Sequence, residues 1–377
     1  MTADVAIVGA GPAGARAAYR LARAGARVAV VDASHPREKP CGGGVTGRAL
    51  AMVSDGIGGR LTAADLVAIR AVRFPNATVP LADDALVVAS RRSFDAALLE
   101  AAQRAGATLV RARVLDVDAG ADGVTLRTTA GRHRADFLVG ADGANSLVRR
   151  RVATAFRREQ LSIATGFYAR GVTSRDIVIE FVADPPGYIW SFPRPDHLAI
   201  GICAQADASA SSADLRARVE RWTRETGIAR GATLDAYAWP VPSLRAADFA
   251  APVAGGRWLL AGDAAGLVDP ITREGIFFAL QSADHAAEAL TGPAPDRAYD
   301  ARLRDEIIPE LRRAAQLKAG FFTPSFVRLL LTALEQSGRI RAVMADLVAG
   351  RQSYRTLKWR LLNTFEFGLA WDALKQW

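Results

Sequence analysis

Residues 4–14 read Asp-Val-Ala-Ile-Val-Gly-Ala-Gly-Pro-Ala-Gly. The apolar run that ends at Gly9 suits a buried parallel strand. Residues 12–24 then carry Ala, Leu and Arg at helical spacing and stop at Gly25, a helix-ending residue. Residues 27–32, Arg-Val-Ala-Val-Val-Asp, give a second buried strand. Strand, helix and strand within about 30 residues make a βαβ unit. The glycines between strand and helix follow the Gly-x-Gly-x-x-Gly spacing of a dinucleotide site. Gly9 permits the tight turn, Gly11 lets a pyrophosphate approach the backbone, and Gly14 allows close helix–strand packing. Pro12 and Ala13 open the helix, whose free N–H groups and positive dipole end face the phosphates. Asp32 ends the second strand, where a carboxylate accepts hydrogen bonds from ribose hydroxyls. This fingerprint does not say which dinucleotide it holds.

Outward from that unit, a loop rich in Pro and Gly spans Ser34 to Gly44. A helix is expected at 93–105 and strands near 107–118, 123–128 and 134–140. From about 160 to 250 the pattern alternates, as in Ile177–Val182 and Leu198–Cys203, which predicts an antiparallel sheet interrupted by a helix near 212–226. A buried strand returns at Trp258–Ala261, followed by a Gly-rich turn and a helix over about 274–290. From 297 the chain reads as helical to its end. The expected fold is α/β. It has a discontinuous dinucleotide-binding domain (1–155 and 251–296), an inserted antiparallel substrate domain (156–250) and a helical C-terminal region (297–377).

The 377 residues carry a formal net charge of +9, which favours anionic partners, although a solvated basic surface explains it as well. No nucleic-acid-binding motif is present. With only Cys41 and Cys203, a disulfide framework is excluded and a reducing compartment is the simpler reading. The four histidines lack metal-ligand spacing, so no metal site is expected. No apolar run approaches the roughly 18–20 residues of a membrane span. Val5–Ala15 lacks the basic flank of a signal peptide. A cytoplasmic protein is expected.

Later segments decide the nucleotide. Phe137-Leu-Val-Gly140-Ala-Asp142-Gly143-Ala-Asn145-Ser146 resembles the DG motif of flavoproteins related to p-hydroxybenzoate hydroxylase. Trp258-Leu-Leu-Ala-Gly262-Asp263-Ala264-Ala265 resembles their GD motif, and Arg91-Arg-Ser-Phe94-Asp95 their RxxFD helix start. The resemblance implies FAD, with Asp263 at the ribityl and ribose region, Arg91 near the phosphates and Asp269–Thr272 beside the isoalloxazine ring. Two further stretches narrow the family. Pro40-Cys41-Gly42-Gly43-Gly44 and Tyr188-Ile-Trp190-Ser-Phe192-Pro193, with Gly201 beyond, resemble the geranylgeranyl reductase family, which includes chlorophyll-pathway and archaeal-lipid enzymes. The cofactor contacts this implies are Gly9, Gly11, Pro12, Ala13, Gly14, Asp32, Ala33, Cys41, Gly42, Gly43, Gly44, Arg91, Asp142, Asp263, Gly275 and Ile276. One departure stands out. The family often has Gly-Glu-Gly-Ile after Asp-Pro, where this chain has Arg273-Glu274-Gly275-Ile276.

The resemblance implies an FAD-dependent reductase that saturates C=C bonds of an isoprenoid lipid or prenyl side chain. NAD(P)H or ferredoxin would be its electron donor. Saturation needs a hydride and a proton. Cys41 is the candidate proton donor, though a structural thiol is an equal reading. Tyr188, Trp190 and Phe192 alternate on a strand and share one face, suited to the wall of an apolar cavity for the substrate, or to ordinary sheet core. In the tail, Phe321, Phe322, Phe326 and Leu329–Leu331 cluster. Arg351, Arg355, Lys358 and Arg360 interleave with Tyr354, Leu357, Trp359 and Leu361, as in a helix on a membrane surface or one packed on the body. Two rival functions share the scaffold. One is a flavin monooxygenase or halogenase; halogenases use a catalytic lysine, and only Lys39 precedes Pro40. The other is a flavoprotein passing electrons to a quinone at a membrane.

Overall fold

The strand Thr2–Val8 is apolar because both its edges and both its faces are covered. In the computed structural model, which describes residues 2–57, 60–206 and 210–364, it pairs in parallel with Val28–Val31 and Gly131–Gly140. Trp258–Leu260 and Thr108–Val110 extend this sheet in parallel on either side, and Ala254–Gly255 closes one edge. Val114–Gly120 and Gly123–Thr128 attach to Gly131–Gly140 as an antiparallel meander. Helices Pro12–Arg23, Arg91–Arg104 and Ile276–Leu290 cover one face. Ala15, Ala17 and Ala18 of the first helix and Ala279, Ala283 and Ala287 of the third are buried together, and their small side chains let these helices pack closely. The other face buries Val148, Leu267, Tyr299, Leu303 and Ile307.

A second, seven-stranded sheet is almost wholly antiparallel. Its order is 233–242, 161–170, 197–205, 187–193, 176–182, 71–74, 77–80. The expected insert, 156–250, supplies the first five strands of this list, but Ala71–Phe74 and Ala77–Pro80 come from well before it. Those two short runs carry too few alternating residues to be read as strands alone; they form a local hairpin whose docking beside Asp176–Val182 is non-local. Ile189 points to the face covered by helix Ser212–Thr226, where Leu215, Val219 and Trp222 pack. Tyr188, Trp190 and Phe192 point to the opposite face, as the pleat requires.

That opposite face is roofed by the C-terminal helices Ile308–Phe321, Pro324–Gln336 and Gly338–Val348. Phe321, Phe322 and Phe326 are buried there with Val72, Val79 and Ile177. The basic helix Tyr354–Leu362 buries Tyr354 and Leu357 in the same cluster. Its Arg360 pairs with Asp346 and donates to Gln352 Oε1 (2.9 Å), while Trp359 stays 66% exposed. Among the described residues no single helix is long and apolar enough to cross a membrane. The last part of the expected helical tail, residues 365–377, lies outside the described residues.

Candidate active site

A cavity of about 310 Å³ runs from the fingerprint turn to the C-terminal helices. Its polar half is lined by Gly11, Pro12, Ala13, Lys39, Arg91, Asp263, Gly275 and Ile276. Its apolar half is lined by Phe74, Ile177, Phe181, Tyr188, Trp190, Phe321, Met344 and Leu347. Cys41, Gly42, Gly43, Gly44 and Phe192 stand between the halves in the same wall. Helices Pro12–Arg23 and Ile276–Leu290 both open at the polar half, so two positive dipole ends converge there.

The glycines of the fingerprint answer to steric demands. Gly9 has φ +100°, and a Cβ there would lie 2.4 Å from the Ala141 carbonyl oxygen. A Cβ on Gly14 would lie 1.9 Å from the Gly9 oxygen. Gly11 instead faces the opening, where a Cβ would stand 3.7 Å from Lys39 Nζ and 3.8 Å from His35 Nε2. Asp32 braces the turn by accepting from Ala10 N (2.9 Å), Ser34 N (2.7 Å) and His35 N (2.9 Å). His35 Nδ1 lies 2.8 Å from Asp32 Oδ2, the oxygen that also accepts from Ala10 N. Burial pushes the Asp32 carboxyl up, but the His35 contact and these N–H donors outweigh it and hold the group well below the usual carboxylate range. Ala33 beside it is exposed and lines no cavity. His35 Nε2 approaches Asp95 Oδ2 at 3.4 Å, within ion-pair range but outside good hydrogen-bond geometry. Asp95, fully buried, takes a bidentate pair from Arg91 (2.9 and 2.8 Å). Burial lowers His35, and the two carboxylates more than restore it, for a net rise.

The glycine loop lies flat against the aromatic strand: a Cβ on Gly42 would meet the Phe192 ring at 2.9 Å. Arg91 Nη1 reaches the Cys41 sulfur at 3.4 Å, and Arg194 Nη2 donates to the Cys41 carbonyl at 2.6 Å. Arg194 also pairs with Glu38, which accepts from Ser90 Oγ (2.8 Å) and Arg91 N (3.1 Å). Arg194 is fully buried; burial pulls its guanidinium down to about 10, so it stays charged at neutral pH and fixes the loop to the sheet. Trp190 is 5% exposed and stands over Gly201, where a Cβ would lie 2.5 Å from its ring. Tyr188 donates to the Thr272 carbonyl (3.2 Å) and stacks on Phe322 at 6.4 Å between centroids. The aromatic face is therefore both buried and cavity-lining.

Asp142 is placed differently from the residues around it. Its carboxylate caps helix Leu147–Val152, accepting from Leu147 N (2.7 Å), Val148 N (3.1 Å) and Ser146. Its neighbours Ala141 and Gly143 line the cavity instead.

A sequence profile of the FAD binding domain matches residues 2–306. The digeranylgeranylglycerophospholipid reductase of Methanothrix thermoacetophila is 31% identical over 354 residues, 85% of this chain and 88% of that one. The chain belongs to the geranylgeranyl reductase family. The menaquinone reductase of Mycobacterium tuberculosis is 32% identical over 333 residues, covering 81% and 80% of the two chains. The crystal structure of a geranylgeranyl bacteriochlorophyll reductase-like protein from Thermoplasma acidophilum shares the fold. Its TM-score is 0.77 at 20% identity, covering 96% of this chain and 99% of that one.

FAD is the cofactor of this family member, and the polar half suits it. An anion would meet the N–H groups of two helix ends, Lys39 and Arg91. Three residues of this geranylgeranyl reductase relative were not legible as site residues. Lys39 lies in the cavity wall beside the fingerprint turn although it belongs to none of the motif segments; burial and neighbouring Arg91 lower its pKa. Arg194 directly follows the aromatic strand, and a charge closing an apolar strand was its signal. Glu274 is buried against Arg48 and Thr46 Oγ1 (2.8 Å), and burial raises its pKa.

Proposed function

We propose that this chain saturates C=C bonds of an isoprenoid chain, with FAD as the redox group. The observation that carries this reading is the continuity of one cavity, from the dipole-lined polar half into an apolar half walled by aromatic and aliphatic side chains. Relatives named for geranylgeranyl lipids and for menaquinone agree with a prenyl substrate. The chemistry that FAD supplies when bound is a two-electron reduction. In this reading Gly11, Pro12 and Ala13 cradle the pyrophosphate, and Asp32 receives the ribose on exchanging its present N–H contacts. Asp263, Gly275 and Ile276 border the ring system. Gly42–Gly44 let the loop pack against Phe192 and Arg194 in the wall between the two halves. Tyr188, Trp190 and Phe192 orient the prenyl chain and exclude water. Cys41, at the junction of the halves, gives its proton to the carbon opposite the one reduced, and solvent restores it. NAD(P)H or ferredoxin supplies the electrons.

The test is a half-reaction. Holoprotein reduced anaerobically with dithionite is mixed with geranylgeranyl diphosphate or menaquinone, and the lipid is read by mass spectrometry for added H₂ per bond. Flavin re-oxidation in Cys41→Ala should slow by at least about tenfold, and less in Cys41→Ser. Oxygen consumption coupled to an oxygenated or halogenated product would replace this reading with the monooxygenase or halogenase one. Quinone reduced at its ring with an untouched side chain would replace it with electron transfer.

A further inference from the structure

Two arginines line the cavity, Arg91 and Arg273. Arg91 is neutralised by Asp95, as Arg194 and Arg48 nearby are by Glu38 and Glu274. Arg273 is the exception. Among the described residues no carboxylate lies within ion-pair range of it. It lines the cavity together with Tyr188, Val241, Cys203 and Phe321. Its Nη1 donates to Ser243 Oγ at 2.6 Å, and its Nε is buried without a partner. Lys318 Nζ donates to the same Ser243 oxygen at 2.6 Å and to Gln205 Oε1 at 2.6 Å. The Ser243 hydroxyl thus accepts from both side chains and offers Arg273 no charge to balance its own.

The backbone adds a second observation. Arg273 has φ +62°, in the left-handed region that favours glycine. A long cationic side chain is held where a residue without one would be less strained. Such strain is retained at sites where the side chain or the geometry has a use. A guanidinium with free N–H groups is suited to a phosphate, which it can grip through two parallel hydrogen bonds.

We propose that Arg273, held by Ser243, is the anion subsite for the phosphate-bearing head of the substrate, with the prenyl chain running into the apolar half. This rests on the prenyl reading above. It makes Arg273 the residue that discriminates diphosphate-headed prenyl substrates from neutral ones.

The experiment uses FAD-loaded protein, so that the cofactor's own phosphate site is filled. Binding of geranylgeranyl diphosphate, geranylgeraniol and inorganic diphosphate is followed by flavin fluorescence in wild type, Arg273→Gly and Arg273→Lys. Arg273→Gly should weaken geranylgeranyl diphosphate about ten- to a hundredfold and remove inorganic diphosphate binding, with geranylgeraniol changed less than about twofold. Arg273→Lys should recover part of the loss, and Arg273→Gly should melt close to wild type. Equal weakening of alcohol and diphosphate, or no effect on either, overturns the proposal and leaves Arg273 as a strap between its turn and Ser243. If the prenyl reading alone is wrong, geranylgeranyl diphosphate binds no better than inorganic diphosphate, yet both still depend on Arg273, which supports the subsite.

Discussion

Two turns deliver a helix N-terminus into the same cavity, and each is braced by an aspartate. Gly9–Gly14 is tied by Asp32 to Ala10 N, and Asp269–Gly275 is tied by Asp269 to Ile271 N (2.7 Å) and Thr272 N (3.1 Å). Both place a residue at positive φ, +100° at Gly9 and +62° at Arg273. The reasons differ. In the first turn a side chain has nowhere to go, because backbone atoms fill the space a Cβ would need. In the second the side chain has room and a hydrogen bond, and only the backbone conformation is unfavourable. One turn needs glycine sterically; the other tolerates strain around a charged group.

The sharpest way to break this comparison is Gly14→Ala. The clash is with backbone, so nothing flexible can give way, and a loss of about 3 kcal/mol or more is expected in urea unfolding, with little FAD retained on purification. A yellow variant of wild-type stability would remove the steric argument. Next, Asp32→Ala takes away the brace and the ribose acceptor. FAD affinity should fall by about 1.5–3 kcal/mol, read by fluorescence titration of the apoprotein. An unchanged Kd would show that Ala10 N and the helix end suffice.

A smaller effect concerns pH. Burial lowers His35, but Asp32 and Asp95 raise it further, so its folded pKa exceeds the unfolded value of 6.5. Its stabilisation is complete below that value and fades as pH rises through the folded one. The urea midpoint of the apoprotein should therefore drop over that window, and His35→Gln should flatten the drop. A flat wild-type profile would mean His35 stays neutral between its carboxylates. The smallest effect is Arg273→Gly. Relief of left-handed strain opposes the lost bond to Ser243 and the greater freedom of an unfolded glycine, so stability should shift by less than about 1 kcal/mol either way. A loss several times larger would place Arg273 with Gly14 as a structural necessity.

The first turn was legible because its grammar is local: strand, three glycines, helix and Asp32 lie within about 30 residues. The aromatic strand was legible as one face, since period-two alternation needs no partner. Strands 71–74 and 77–80 were not, because each is only four residues long and their hairpin joins the sheet beside 176–182, a hundred residues on. Arg194 and Lys39 were missed for a related reason. Each is defined by what surrounds it, Glu38 and Cys41 for one and the fingerprint turn for the other, and none of that is encoded in neighbouring residues. Asp142 shows the converse, a motif position whose side chain serves its own helix.

The two halves of the cavity are drawn from different parts of the chain. The polar end belongs to the two helix-opening turns and the loop before the glycines, while the apolar end is closed by Phe321, Met344 and Leu347 on helices added after the nucleotide fold is complete. That roof acts as a ruler. Enlarging or shrinking a side chain at Met344 or Leu347 changes the apolar end without touching the residues of the polar end. On the prenyl reading proposed above, substrate length would be set here, so it could drift under selection while the nucleotide platform stays fixed.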